Sequence, residues 1–79
     1  MSNTDTLKKA FAEALLIDES RVVDSLVYQS IPEWDSVSHM ILISEIESAF
    51  DVSIETDDVI DMSSFAKAKE ILTKYKIEF

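Results

Sequence analysis

The chain has 79 residues with 16 Asp or Glu and 7 Lys or Arg, so its formal net charge at pH 7 is −9. This length suffices for one small domain, residues 1–79, with a modest core and no deep active site built from several loops. The acidic balance excludes a general binder of nucleic acid or anionic membranes, and the absence of cysteine excludes disulfides, thiolate metal sites and thiol catalysis.

The first predicted helix begins at a candidate cap, Thr4 or Asp5, and ends at residues 18–20. Four apolar residues recur at helical spacing and share one face: Leu7, Phe11, Ala14 and Leu15. Residues 18–34 then form a long connection with six apolar side chains: Val22, Val23, Leu26, Val27, Ile31 and Trp34. So many apolar side chains must hold the connection across the core, although a short helix over residues 25–29 is the alternative.

The second helix is the clearest element, because residues 36–50 contain no Pro or Gly. Asp35 or Ser36 is its expected cap. Its apolar stripe is made of Val37, Met40, Leu42, Ile43, Ile46 and Phe50, with Ile41 on a flank. We expect the helix to end at Asp51, since Asp tolerates the left-handed conformation better than most residues.

Two further helices follow an extended stretch over residues 52–54. Thr56 is the expected cap of a short third helix that runs through Asp61, and Ser63 or Ser64 caps a fourth. The fourth helix turns five side chains inward: Phe65, Ala68, Ile71, Leu72 and Tyr75. The sequence therefore predicts an all-α protein, a four-helix bundle with a long first loop and a short third helix.

The charges are segregated along the chain. All seven basic residues lie outside residues 35–61, and that stretch holds eight acids: Asp35, Glu45, Glu47, Asp51, Glu55, Asp57, Asp58 and Asp61. The stretch predicts a negative patch that steers basic partners, and the alternative is a merely solvated surface. The N-terminal residues lack the apolar stretch of a signal peptide, and no segment is long enough to span a membrane. We expect a cytoplasmic protein without membrane insertion.

Ser36 is the most informative residue. It lies at the N-terminus of the second helix, where we expect its hydroxyl to be exposed, with backbone N–H groups behind it and the positive end of the helix dipole nearby. This position suits an attached phosphodiester better than a catalytic serine. Ser25 stands in a similar Asp-Ser-Leu triplet, but Pro32 follows too closely for a long helix to begin there.

One segment carries a resemblance to a known family. It runs Trp34-Asp35-Ser36-Val37-Ser38-His39-Met40 and continues with Ile43, Ile46, Glu47, Phe50, Val52 and Ile54. It is similar to the Asp-Ser-Leu motif of acyl carrier proteins and the helix behind that motif, and residues 62–65 are similar to the start of the family's last helix. In size, acidity and helix order the chain resembles acyl carrier proteins along nearly its whole length.

The resemblance implies that Ser36 carries a covalent 4′-phosphopantetheine arm, which a separate phosphopantetheinyl transferase takes from coenzyme A with Mg²⁺. Acyl groups would be held as thioesters on the arm, so the chain would be a non-catalytic carrier, not an enzyme. The implied pathways are fatty acid, polyketide or specialised lipid biosynthesis. Val37 stands where the family usually has Leu, and the Gly often found before the motif is absent; this resembles specialised, pathway-dedicated members.

In this interpretation Asp35 orients the site and the second and third helices form a docking face for acyl-transferring or synthase enzymes with basic patches. The expected docking residues are Val37, Met40, Ile41, Glu45, Glu47, Asp57, Asp58 and Ile60. We expect a monomer without metal ligands. The alternatives are an aminoacyl or peptidyl carrier with the same arm and an arm-free acidic helical adaptor domain. A hydrolase built on Ser36 and His39 is the weakest, because the chain has no glycine to frame an oxyanion hole.

Overall fold

Four α-helices and one 3₁₀ turn account for the regular structure of residues 2–79, the part of the chain that this computed structural model describes. Their bounds are Asn3–Leu15 for α1, Ser36–Phe50 for α2, Thr56–Asp61 for α3 and Phe65–Lys74 for α4, with the 3₁₀ turn at Glu19–Arg21. The all-α prediction of four helices with a long first connection and a short third helix is confirmed.

Helix α1 begins earlier than its sequence signals predict. Ser2 is the N-cap, and its side chain accepts a hydrogen bond from the Asp5 backbone N–H at 3.1 Å, so the predicted cap at Thr4 or Asp5 is wrong. The predicted inward face is buried. The helix ends at Leu15, and Leu16 takes up the left-handed conformation with φ 58°. Residues 18–20 therefore lie beyond the helix instead of ending it.

The connection between α1 and α2 is held across the core. Val22, Leu26 and Trp34 are buried, whereas Val23 and Val27 are exposed. Backbone hydrogen bonds tie the connection to the segment that opens α4: the Tyr28 N–H donates to Ser63 O at 2.8 Å, and the Phe65 N–H donates to Leu26 O at 3.0 Å. The alternative of a helix over residues 25–29 is not realised.

Helix α2 has the predicted bounds but a different buried face. Leu42, Ile43 and Ile46 are buried, whereas Val37 is 70% exposed and Met40 is 58% exposed. Placing these two in the apolar stripe was wrong, because steps of three residues drift backward by about 60° each around a helix. Over the two steps from Ile43 back to Val37 this drift reaches about 120°, which carries Val37 away from the core. The predicted stop is confirmed: Asp51 has φ 54°.

The last two helices are short and their caps differ. Glu55, not Thr56, is the N-cap of α3 and makes no side-chain capping bond. Ser64 caps α4, accepting from the Lys67 N–H at 2.9 Å. The inward residues predicted for α4 are buried, except Tyr75, which is half-buried.

An aromatic cluster at the centre of the core positions the start of α2. The ring of Phe11 packs edge-on against Trp34 with centroids 5.4 Å apart and against Phe65 at 5.1 Å. Trp34 is fully buried and directly precedes the cap of α2. The residues after it are therefore fixed relative to α1 and α4.

Candidate functional site

Ser36 is the first residue of the 15-residue helix α2, and it is exposed. Among residues 2–79, no side chain or backbone group forms a hydrogen bond with its hydroxyl, which is thus accessible for modification. Ser25 is exposed as well, but it lies in a turn of the connection with no helix behind it. The position at a helix start separates the two serines, as the sequence indicates.

Asp35 caps α2 through a reciprocal arrangement. Its Oδ1 accepts from the Val37 N–H at 3.1 Å and the Ser38 N–H at 3.0 Å, while the Ser38 hydroxyl accepts from the Asp35 N–H at 3.0 Å. The backbone N–H and hydroxyl of Ser38, with the Val37 N–H, lower the pKa of Asp35 below its ordinary value of 3.8. These two N–H groups are therefore not free for a phosphate. The backbone N–H groups that the sequence offers to a phosphate on Ser36 already donate to Asp35, so the helix dipole is what remains to favour a phosphate there.

Hydrogen bonds of Trp34 and His39 link the connection before α2, α2 itself and α3. The Trp34 indole N–H donates to His39 Nδ1 at 3.0 Å, and His39 Nε2 lies 2.8 Å from Val59 O. Because Nδ1 accepts, the ring is neutral and its proton sits on Nε2, where it donates to Val59 O. Both ring nitrogens are occupied, so His39 does not pair with Ser36 and the hydrolase arrangement does not form.

A mostly apolar groove of about 370 Å³, which we call the α2–α3 groove, lies beside Ser36. Ser36, His39 and Met40 line it from α2. The rest of its lining comes from the connection, α3 and the segment after α3: Tyr28, Val59, Ile60, Met62 and Ser63. The groove was not predicted from the sequence, because its walls come from segments that are distant along the chain. The only local signal is Trp34 before the cap and His39 at the fourth helical position, the spacing of a hydrophobic staple.

The predicted docking residues divide into two groups. Val37, Met40, Ile41 and Ile60 are exposed, with accessible fractions of 70, 58, 49 and 75%. Asp57 is exposed and Glu45 is half-buried. Glu47 is also half-buried and accepts a hydrogen bond from the Ile54 N–H at 2.8 Å, so it fastens the loop after α2. The surface of α2 and α3 thus combines acidic groups with exposed apolar side chains.

Asp58 does not belong to that exposed face. It is buried, and its carboxylate accepts from Lys74 Nζ and from the Tyr75 hydroxyl, each at 2.6 Å. These two bonds lower the pKa of Asp58, and the same contacts raise the pKa values of Lys74 and Tyr75. The Tyr75 hydroxyl also accepts from the Glu55 N–H at 3.0 Å. The assignment of Asp58 to the docking face is therefore corrected: it holds α3 against the end of α4.

No family model, curated protein or solved structure matches the chain. Within residues 2–79, none of the helices has the length and apolar composition needed to cross a bilayer.

Proposed function

We propose that the chain is a carrier protein of the acyl-carrier type, whose Ser36 hydroxyl is esterified by 4′-phosphopantetheine. The observation that carries this proposal is the exposed, unbonded hydroxyl at the first residue of α2, beside an apolar groove that Ser36 itself lines. The similarity of residues 34–54 to acyl carrier proteins supports the same interpretation.

Loading requires a partner enzyme. The Ser36 oxygen attacks the phosphorus of coenzyme A that bears the pantetheine, and the bond from that phosphorus to the adenosine bisphosphate breaks. The serine proton leaves to a base of the transferase, which also supplies Mg²⁺. Asp35 acts as a positioning residue here: its bonds to Val37 and Ser38 fix the turn that holds Ser36 outward.

The residues around Ser36 fit such a group. Its phosphate would be favoured by the positive end of the α2 dipole, and Met40 and Ile60 of the α2–α3 groove would offer apolar contacts to its chain. When bound, the group supplies a thiol that holds acyl groups as thioesters, which this cysteine-free chain does not supply itself. Apolar lining favours acyl cargo over polar aminoacyl cargo, which is the closest alternative.

The partners are a phosphopantetheinyl transferase and acyl-transferring or synthase enzymes with basic docking patches. The exposed residues of α2 and α3 support this, because acidic groups there steer basic partners and apolar side chains supply contact area. The proposal places the chain in the cytoplasm as a monomer that presents substrates and performs no chemistry of its own.

The test is the intact mass of the chain after incubation with coenzyme A, Mg²⁺ and a broad-specificity phosphopantetheinyl transferase. We expect wild type and Ser25→Ala to gain one arm and Ser36→Ala to gain none. Circular dichroism should show that all three are folded. A folded wild type that gains no arm with several transferases would overturn the proposal in favour of an arm-free adaptor domain.

A further inference from the structure

The short helix α3 is attached to its neighbours by polar contacts. Its only buried residue is Asp58, which bonds to the end of α4. On the side of the α2–α3 groove, the carbonyl oxygen of Val59 lies 2.8 Å from His39 Nε2. In a longer helix the Ser63 N–H would donate to that oxygen, but here it donates to Asp61 O at 2.8 Å. His39 therefore supplies the donor that the end of α3 lacks, and it ties α3 to α2.

The other ring nitrogen of His39 faces a donor that is fixed in the core. The Trp34 indole N–H donates to His39 Nδ1 at 3.0 Å. Trp34 is fully buried, and its ring packs edge-on against Phe11 and Tyr28. Because an indole N–H only donates, a proton on Nδ1 would bring two donors into contact. A protonated ring must therefore move away from Trp34, and the groove that His39 lines gives it room to do so.

No charged side chain compensates for a positive ring in this position. The groove lining contains no Asp, Glu, Lys or Arg, and Tyr28, whose ring centroid lies 5.3 Å from that of His39, is the only other titratable residue in it. The end of α3 attracts positive charge, but it faces Nε2 and leaves the conflict at Nδ1 in place. Among residues 2–79 no hydrogen bond or ion pair joins the ring to the acids of α3 or of the α2 cap: Asp35, Asp57, Asp58 and Asp61.

We propose that the His39 ring, held between the Trp34 N–H and the Val59 oxygen, is a pH-sensitive latch on the α2–α3 groove. The latch is closed when the ring is neutral and opens when the ring is protonated. On opening, α3 loses its bond to α2 but keeps the Asp58 contact with α4, so the Val59 side of the helix moves outward and the groove widens. The latch belongs to the unmodified chain and does not depend on the modification of Ser36.

The expected magnitude follows from proton linkage. An imidazole free in water is half-protonated at about pH 6.5. If only the open state binds this proton, the ratio of open to closed molecules rises about tenfold for each pH unit below that value. Between about pH 6.5 and pH 4.5 the ratio should therefore rise on the order of a hundredfold.

The experiment is an NMR titration of the unmodified, isotope-labelled chain from about pH 7.5 to pH 4.5, the range in which histidine changes charge. His39 is the only histidine and Trp34 the only tryptophan, so each gives one set of side-chain signals. We expect the indole N–H signal and the Val59 amide signal to shift with the same midpoint as the His39 ring. An indole signal that stays in place while the ring titrates would overturn the proposal.

A second readout measures the opening of the groove. Met62 lines the groove and is fully buried, whereas Met40 lines it and is 58% exposed. We expect a soluble nitroxide to broaden the Met62 methyl signal more at pH 4.5 than at pH 7.5, and to broaden the Met40 signal about equally at both. Circular dichroism should show unchanged helix content. A Met62 methyl that stays protected in acid would overturn the proposal, and so would a loss of helix content at the midpoint of His39.

The matched control is His39→Gln, whose amide can replace the ring as a hydrogen-bonding group but does not titrate. Its indole and Met62 signals should be indifferent to pH over the same range. An acid response equal to that of wild type would overturn the proposal, because carboxylates common to both proteins would then be its cause. If the variant does not fold, the wild-type titration decides alone. Since no step uses coenzyme A, failure of the latch is distinguishable from a failure of Ser36 to accept the arm.

Discussion

Replacing Trp34 by Phe keeps an aromatic ring in the core but removes the indole N–H that donates to His39 Nδ1. Trp34 is fully buried, so no water replaces the lost donor from that side. Replacing His39 by Phe has the converse effect and leaves the Trp34 N–H without its acceptor. The two single variants each leave one polar group unsatisfied, whereas the double variant removes both groups.

The expected magnitudes follow from this arrangement. A buried donor or acceptor without its partner costs about 1–3 kcal/mol in the free energy of unfolding. Trp34→Phe also leaves a gap beside Phe11 and Tyr28, whose rings pack edge-on against the indole at 5.4 and 6.0 Å, and this adds about 1 kcal/mol. We expect Trp34→Phe to destabilise by about 2–4 kcal/mol. The double variant should lose about 1–2 kcal/mol less than the sum of the single variants.

Urea unfolding followed by far-UV circular dichroism measures this cycle. Fluorescence is unsuitable, because Trp34 is the only tryptophan and two of the four proteins lack it. The loss of the His39 bond to Val59 O occurs in both proteins that carry His39→Phe and therefore cancels. Single variants whose effects add to within about 0.3 kcal/mol would refute the reasoning that Trp34 and His39 are bonded.

Three further outcomes are expected. The bonds to Lys74 and Tyr75 lower the pKa of Asp58, so their contribution to stability is present above the ordinary carboxyl pKa of 3.8 and is lost as the pH falls through the lowered pKa. Tm should therefore fall more steeply in acid for wild type than for Asp58→Asn. Parallel curves of Tm against pH for the two proteins would contradict this. Asp35→Ala should lower Tm more than Asp35→Asn, whose amide oxygen can still accept from the Val37 and Ser38 N–H groups; equal losses would mean that charge, not capping, matters. Moderate salt should raise Tm by screening the net charge of −9, and a melting temperature indifferent to salt would count against a self-repelling surface.

Features encoded in local sequence could be predicted. The run without Pro or Gly after Asp35 predicts α2, and the tolerance of Asp for the left-handed conformation predicts that α2 ends at Asp51. Ser64 caps α4 as expected. The cap of α1 could not be predicted in the same way, because Ser2, Thr4 and Asp5 all carry capping side chains within four residues. Only the packing of the helix selects among them.

Features that depend on distant contacts could not be predicted. In the sequence Asp58 resembles the other surface acids. Its role in holding α3 against the end of α4 depends on Lys74 and Tyr75, 16 and 17 residues further on, which donate hydrogen bonds to its carboxylate. Likewise, Ser36 and Asp35 are evident from the sequence, but the groove beside them requires Tyr28 and Met62 from separate segments. The exposure of Leu16 depends on where α1 ends, and the sequence places that end too late.

The most direct test of the central claim is to locate the arm on the loaded protein. Trypsin does not serve, because residues 22–66 contain no Lys or Arg and keep Ser25 and Ser36 on one peptide. Cleavage after glutamate separates them, into residues 20–33 with Ser25 and residues 34–45 with Ser36. We expect fragmentation spectra to place the phosphopantetheine on residues 34–45, at Ser36 and not at Ser38. An arm on residues 20–33, or on neither peptide, would contradict the account.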